Sequence, residues 1–113
     1  MTFEEYYKLP ESKRTNDVYR ELAKSDPLFE DCARLILLHS RLMTSYSYIM
    51  RGLRKEKNIT IGYSRAYPLY WELVTTGLVK PKEGTNTSVA IATFKDKAEL
   101  EVRLSEIGGR MKT

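Results

Sequence analysis

Three groups of side chains in this sequence have the types and spacing that chemistry could use. Arg51, Arg54, Lys55 and Lys57 crowd four cations into one short stretch. Tyr63, Ser64 and Arg65 open a run that turns apolar further on, with Tyr67 one helical turn later. Lys80, Lys82, Thr85 and Asn86 lie in a stretch punctuated by Pro81 and Gly84. Cations and hydroxyls of this kind suit phosphate contacts, and an arginine at the head of a helix can grip guanine through two hydrogen bonds. Such a pair discriminates by about 1–3 kcal/mol. The charge distribution agrees. Residues 1–31 carry five basic and eight acidic side chains, a net −3, and residues 32–94 carry nine and three, a net +6. The last 19 residues add +1, for +4 in all. The cationic excess in the middle is the footprint expected where a protein meets a polyanion.

Other chemistries find few residues to use. No GxxxxGK[ST] phosphate loop is present. The single histidine, His39, falls on the expected inner side of an apolar helix, where it reads as a packed or partly exposed side chain rather than a base or ligand. One Cys and one His leave no HxxxH or CxxC spacing for a protein-made zinc site. Cys32 reads as a small core residue. No spacing suggests a Ser/His/Asp or Cys/His arrangement, so the expectation is a non-enzyme with no cofactor and no small-molecule substrate. A lone cysteine excludes an internal disulfide, and no apolar run reaches the roughly 20 residues of a membrane helix. The acidic, aromatic N-terminus lacks the basic-then-apolar order of a secretory signal. These features suggest an intracellular place, cytoplasmic and nucleoid-associated if the polyanion is DNA.

The elements that would position these groups follow from periodicity and caps. Thr2-Phe3-Glu4-Glu5 resembles a capping box, for a short helix halted by Pro10. Pro10 to Arg14 reads as a loop, and Asn16 to Lys24 as a second short helix. Asp26-Pro27 signals another start, with Asp as cap and Pro in the first turn. Leu28, Cys32, Leu35, Ile36 and His39 then recur at helical spacing, and this is expected to be the most buried helix. Thr44-Ser45 caps a helix with Tyr46, Ile49, Met50 and Leu53 inward, and Arg54 to Asn58 reads as a loop or frayed end. After an extended crossing at Ile59–Gly62, residues 63–76 place Ala66, Leu69, Tyr70, Leu73 and Val74 on one face. Gly77 stops this helix. Leu78-Val79 and Ser88–Ala92 read as a β-hairpin around the turn-rich Lys80–Asn86. Asp96-Lys97-Ala98-Glu99 is a second capping box, which favours a final helix through Leu100, Leu104 and Ile107 over a third strand, with Gly108-Gly109 as its end.

The expected fold is thus mainly α with a small β-hairpin wing. Helix, helix, turn, helix and hairpin in this order make a winged helix-turn-helix with extra terminal helices. Residues 1–25 form a helical extension, 26–94 the winged domain, and 95–113 a C-terminal helix and tail. In that motif the later helix, about 10–12 Å across, enters the major groove and the wing follows the backbone.

Asp26-Pro27-Leu28-Phe29, Ser45–Arg54, Ile61-Gly62-Tyr63-Ser64-Arg65-Ala66 and Gly77-Leu78-Val79-Lys80-Pro81 together resemble the γ domain at the C-terminus of FtsK-type DNA translocases. Its corresponding motifs read DPLY, SISxxQRxxR, IGYNRA and GxVxP. The resemblance implies a bacterial-type winged helix that reads a short G-rich duplex, with contacts carried onto Arg51, Ser64 and Arg65. It runs from Asp26 to about Ala92 and includes no motor domain. Three departures keep the family's sequence preference from being copied. Ser64 replaces Asn, Lys55–Thr60 lengthens the turn before the recognition segment, and Pro68 removes a helical hydrogen bond, with a kink or delayed start expected.

The leading expectation is therefore a sequence-specific double-stranded DNA-binding protein, an accessory or regulatory factor in transcription or DNA processing. Its candidate contacts are Arg51, Arg54, Lys55, Lys57, Tyr63, Ser64, Arg65, Tyr67, Lys80, Lys82, Thr85 and Asn86. A homodimer would imply a palindromic site and a monomer an asymmetric one. The competing expectation is a protein-interaction module that kept the scaffold and lost DNA, suggested by Pro68, the many tyrosines and Trp71. The DNA reading requires a cationic edge facing outward around Ser64-Arg65. A guanidinium tucked against a carboxylate inside the fold, or a segment unwound by Pro68 and covered by a terminus, would collapse that reading.

Overall fold

The computed structural model describes residues 3–15, 17–18, 26–82 and 89–111, side chains excepted at 3, 4, 7 and 108–111. Helix α1 spans Phe3–Lys8 and stops ahead of Pro10, as expected. Glu11–Lys13 form a 3-10 turn where a loop was expected. The helix expected over Asn16–Lys24 lies for the most part outside the described residues.

Asp26 starts the next unit differently from expectation. Its Oδ1 accepts the Leu28 N–H at 2.9 Å and its carbonyl accepts the Phe29 N–H at 3.3 Å. Residues 27–28 thus form a turn, and α2 runs only from Phe29 to Leu35 before tightening into a 3-10 segment, Ile36–Leu38. The later start and tighter end rotate the inner face. Phe29, Cys32, Ala33 and Ile36 are buried, while Leu28, Leu35 and His39 keep partial exposure.

Strand β1, Met43–Thr44, leads to Ser45, which caps α3 (Tyr46–Lys57) by accepting the Tyr48 N–H at 3.2 Å. The helix does not fray at Arg54 as expected. It continues to Lys57, where Asn58 turns left-handed at φ 54° and the Ile59 N–H returns to the Leu53 carbonyl at 3.1 Å. Three cations in that last turn also suit the negative end of the helix dipole. A Cβ at Gly52 would come within 2.9 Å of Leu35 Cδ1, so glycine lets α2 and α3 cross closely.

Helix α4 spans Tyr63–Thr75 and carries Pro68 inside it without a delayed start. Proline at that place removes the N–H that would bond the carbonyl of exposed Ser64, where solvent can substitute. Buried Ala66, Pro68, Leu69, Tyr70, Glu72 and Leu73 make α4, rather than α2, the most buried helix. Gly77 ends it at φ 80°. The Gly77 N–H bonds the Val74 carbonyl at 3.0 Å and the Leu78 N–H bonds the Leu73 carbonyl at 3.1 Å, the two bonds of a Schellman ending.

Strands β2 (Val79–Pro81) and β3 (Ala90–Ala92) follow, so Lys80 and Pro81 belong to a strand rather than to the turn. The sheet is antiparallel in the order β1-β3-β2, with Thr44 opposite Ala90 and Val79 opposite Ala92. Asp96 Oδ1 accepts the Glu99 N–H at 2.9 Å, and Glu99 Oε2 accepts the Lys95 N–H at 3.1 Å. This reciprocal cap starts α5, Lys97–Met111, which passes through Gly108-Gly109 instead of stopping there. Leu100 and Leu104 close the core from that side, and Arg34 grips Glu101 through two bonds at 2.8 and 3.0 Å. The chain is therefore mainly helical with a small three-stranded antiparallel sheet.

Candidate nucleic-acid interface

Helix α4 is divided lengthwise. Arg65, Leu69 and Glu72 lie at i, i+4 and i+7, and that stripe faces inward. Tyr63, Ser64 and Tyr67 occupy the opposite side and are exposed. Arg65 therefore corrects the expectation of an outward guanidinium. Its Nη2 donates to Asp26 Oδ1 at 2.8 Å, with 31% of the arginine side chain exposed and none of the aspartate's. The sequence signal existed: an arginine in register with two buried positions of its own helix turns toward the core.

Glu72 lies in the same inner layer, wholly buried, and neither carboxylate oxygen has a hydrogen-bond partner. Burial, reinforced by the nearby Asp26 charge, raises its pKa to about 9, so it is protonated at neutral pH. Asp26 is also pushed up by burial, and the Leu28 N–H and the Arg65 charge pull it back. Its Oδ2 has no partner. Cys32 is buried nearby, its thiol raised by desolvation and by the surrounding carboxylates, so the unreactive thiol form persists. The buried glutamate was missed from sequence, although an acid beside Leu69 and Leu73 in an apolar stripe was a visible anomaly.

The aromatic side of α4 meets the start of α3. The Tyr46 ring lies 5.2 Å from Tyr63, 5.6 Å from Tyr67 and 4.6 Å from Tyr70, centre to centre. Tyr63 is 58% exposed and Tyr67 37%. Along α3 the Arg51 guanidinium sits 5.1 Å over the Tyr48 ring. Arg54 and Lys55 are exposed, and Lys57 pairs with Asp31 at 3.7 Å. His39 is partly exposed, as expected: its ring lies 4.9 Å from Tyr48, and its Nδ1 accepts the Arg41 N–H at 3.1 Å. On the hairpin Lys80 and Lys82 are exposed, and Thr85 and Asn86 fall outside the described residues.

Between residues 39 and 82 the exposed charges are Arg41, Arg51, Arg54, Lys55, Lys57, Lys80 and Lys82 against one carboxylate, Glu56. The two other ionisable groups of opposite kind there, Arg65 and Glu72, are withdrawn inward. An open hollow of about 310 Å³ between α2 and α3 is lined by Leu35, Met43 and Gly52, with His39, Arg51 and Lys55 at its polar side. Among the described residues no group of three His, Cys, Asp or Glu could hold a metal ion. No helix among them is long and apolar enough to cross a membrane. Comparison with family models, curated proteins and solved structures finds no match.

Proposed function

We propose that residues 26–94 form a winged helix-turn-helix that binds double-stranded DNA through α4, α3 and the β2–β3 hairpin. The order α2, β1, α3, α4, β2, β3 with its three-stranded sheet supports the scaffold. The observation that carries the ligand class is the excess of exposed cations over exposed carboxylates between Arg41 and Lys82. With Arg65 held inward by Asp26, the outward cationic edge on which the sequence reading rested is absent, so the base-reading case falls and the proposal is confined to phosphate contact. Arg51, Arg54, Lys55, Lys80 and Lys82 supply phosphate contacts, which position a protein on the duplex and carry no base information themselves.

Fluorescence anisotropy on a random-sequence duplex tests this. Log affinity should fall with log salt by about 0.9 for each phosphate neutralised. Five contacts predict a loss of roughly several hundredfold between about 50 and 200 mM salt. Arg54→Ala with Lys80→Ala should weaken binding uniformly across sequences and flatten the slope. Absence of salt-dependent binding to any duplex overturns the proposal. The second reading, a protein-interaction module on the same scaffold, is favoured by the inward Arg65 and the exposed Tyr48, Tyr63 and Tyr67. It predicts a stoichiometric protein complex that survives high salt.

A further inference from the structure

The exposed aromatic rings at the start of α4 are not used by phosphate contacts. Tyr63, Tyr67 and Tyr46 form one ring cluster, with Tyr63–Tyr67 at 6.4 Å and Tyr46–Tyr67 stacked at an interplanar angle of 26°. Tyr46 in turn rests edge-on against buried Tyr70. The outer rings are thus braced from beneath while more than a third of each residue's surface stays open. An aromatic ring held in this way loses little rotamer freedom on binding, so stacking on it is inexpensive in entropy. One ring-and-cation pair, Arg51 over Tyr48, lies on α3, where Tyr48 meets His39 rather than this cluster. Braced, open rings in a stretch of chain whose exposed charges are mostly cationic suit unpaired nucleotides: cations follow the phosphates and rings stack on base faces. A base inside a duplex offers no free face, so a blunt duplex leaves these rings unemployed.

We propose that Tyr63 and Tyr67 form a stacking platform for unpaired bases, so that the protein prefers duplex DNA carrying a single-stranded extension. This rests on the nucleic-acid reading above and names the form of DNA that fits the same surface. The full chain is titrated by fluorescence anisotropy against three probes. These are a blunt duplex, the duplex with a five-thymine overhang, and the duplex with an abasic overhang of equal length. Thymines stack weakly on one another, and the abasic overhang keeps the phosphates while removing the bases. The thymine overhang should bind at least about fivefold more tightly than the abasic one, the lower bound for one base stacked on an aromatic ring. Tyr63→Leu with Tyr67→Leu should bring that ratio to one. Tyr63→Phe should keep the ratio, because stacking uses the ring and not the hydroxyl. Circular dichroism checks the fold, and if the double variant does not fold, Tyr63→Leu alone must lower the ratio. Equal affinity for thymine and abasic overhangs overturns the platform, and so does a ratio that survives loss of both rings. In either case blunt-duplex binding persists and the DNA proposal stands. Failure to bind any of the three probes overturns both.

Discussion

Glu72 is a carboxylic acid that folding keeps neutral. Its raised pKa means that the folded chain holds a proton which the unfolded chain releases near 4.5. The group's stabilising contribution is fully present below pH 4.5 and is lost as pH rises toward about 9, at about 1.4 kcal/mol per pH unit. Urea unfolding at pH 5, 7 and 9 should show that decline. Glu72→Gln should flatten most of it. An unchanged slope in the glutamine variant would place the pH dependence elsewhere. Arg65 gives a second test at this scale. Arg65→Met strands a buried carboxylate and should cost about 3 kcal/mol, the lower end for a broken buried pair, because the guanidinium retains some solvent. Adding Asp26→Asn should recover much of that loss, and the double variant should bind a random duplex as the wild type does. A drop in its duplex affinity would return Arg65 to the DNA-contacting set.

The elements most legible in the sequence were those whose boundaries are set within a few residues. Ser45 before α3, Gly77 after α4 and Asp96 before α5 each bond backbone groups two to four positions away, and each was readable as a cap. Their errors were local too: the Asp26 turn moved the start of α2 by two residues, from Pro27 to Phe29, and rotated its inner face, and Asn58 rescued a last turn that composition alone marked as frayed. The candidate site was less legible because it depends on distance. Arg65 meets a partner 39 positions earlier, and no local pattern names that partner. The stacking of Tyr46 on α4 likewise requires the α3–α4 crossing, which sequence periodicity does not supply. The cations of α3 and β2 were found because exposure is the default state of such side chains. Docking of α5 is a property of this same scale. Leu100 and Leu104 are buried, whereas the Arg34–Glu101 pair that accompanies them is about two-fifths exposed. Leu100→Ala should therefore cost about 2–5 kcal/mol in urea unfolding, and Arg34→Ala less than about 1 kcal/mol. Comparable losses would mean that the ion pair, not apolar burial, anchors the helix.

At the scale of the molecule, charge is sorted by depth as well as by position. The acids of the central unit are few, and Glu72 on the inner face of α4 is neutralised by burial while Arg65 beside it is paired inward, so the exposed surface there keeps the cationic excess that composition implies. A net of +4 spread evenly would attract a polyanion weakly. Concentrated on α3 and the hairpin, the same charge gives a directed approach that salt screens. The sole cysteine adds an unplanned instrument to this body. Cys32 sits sealed beside the Asp26 and Glu72 carboxylates, so a maleimide reaches its sulfur only when the interior parts. The rate at which the native chain takes up one label is then a clock for opening of the whole core. It should run faster in Arg65→Met than in wild type and slow again once Asp26→Asn is added.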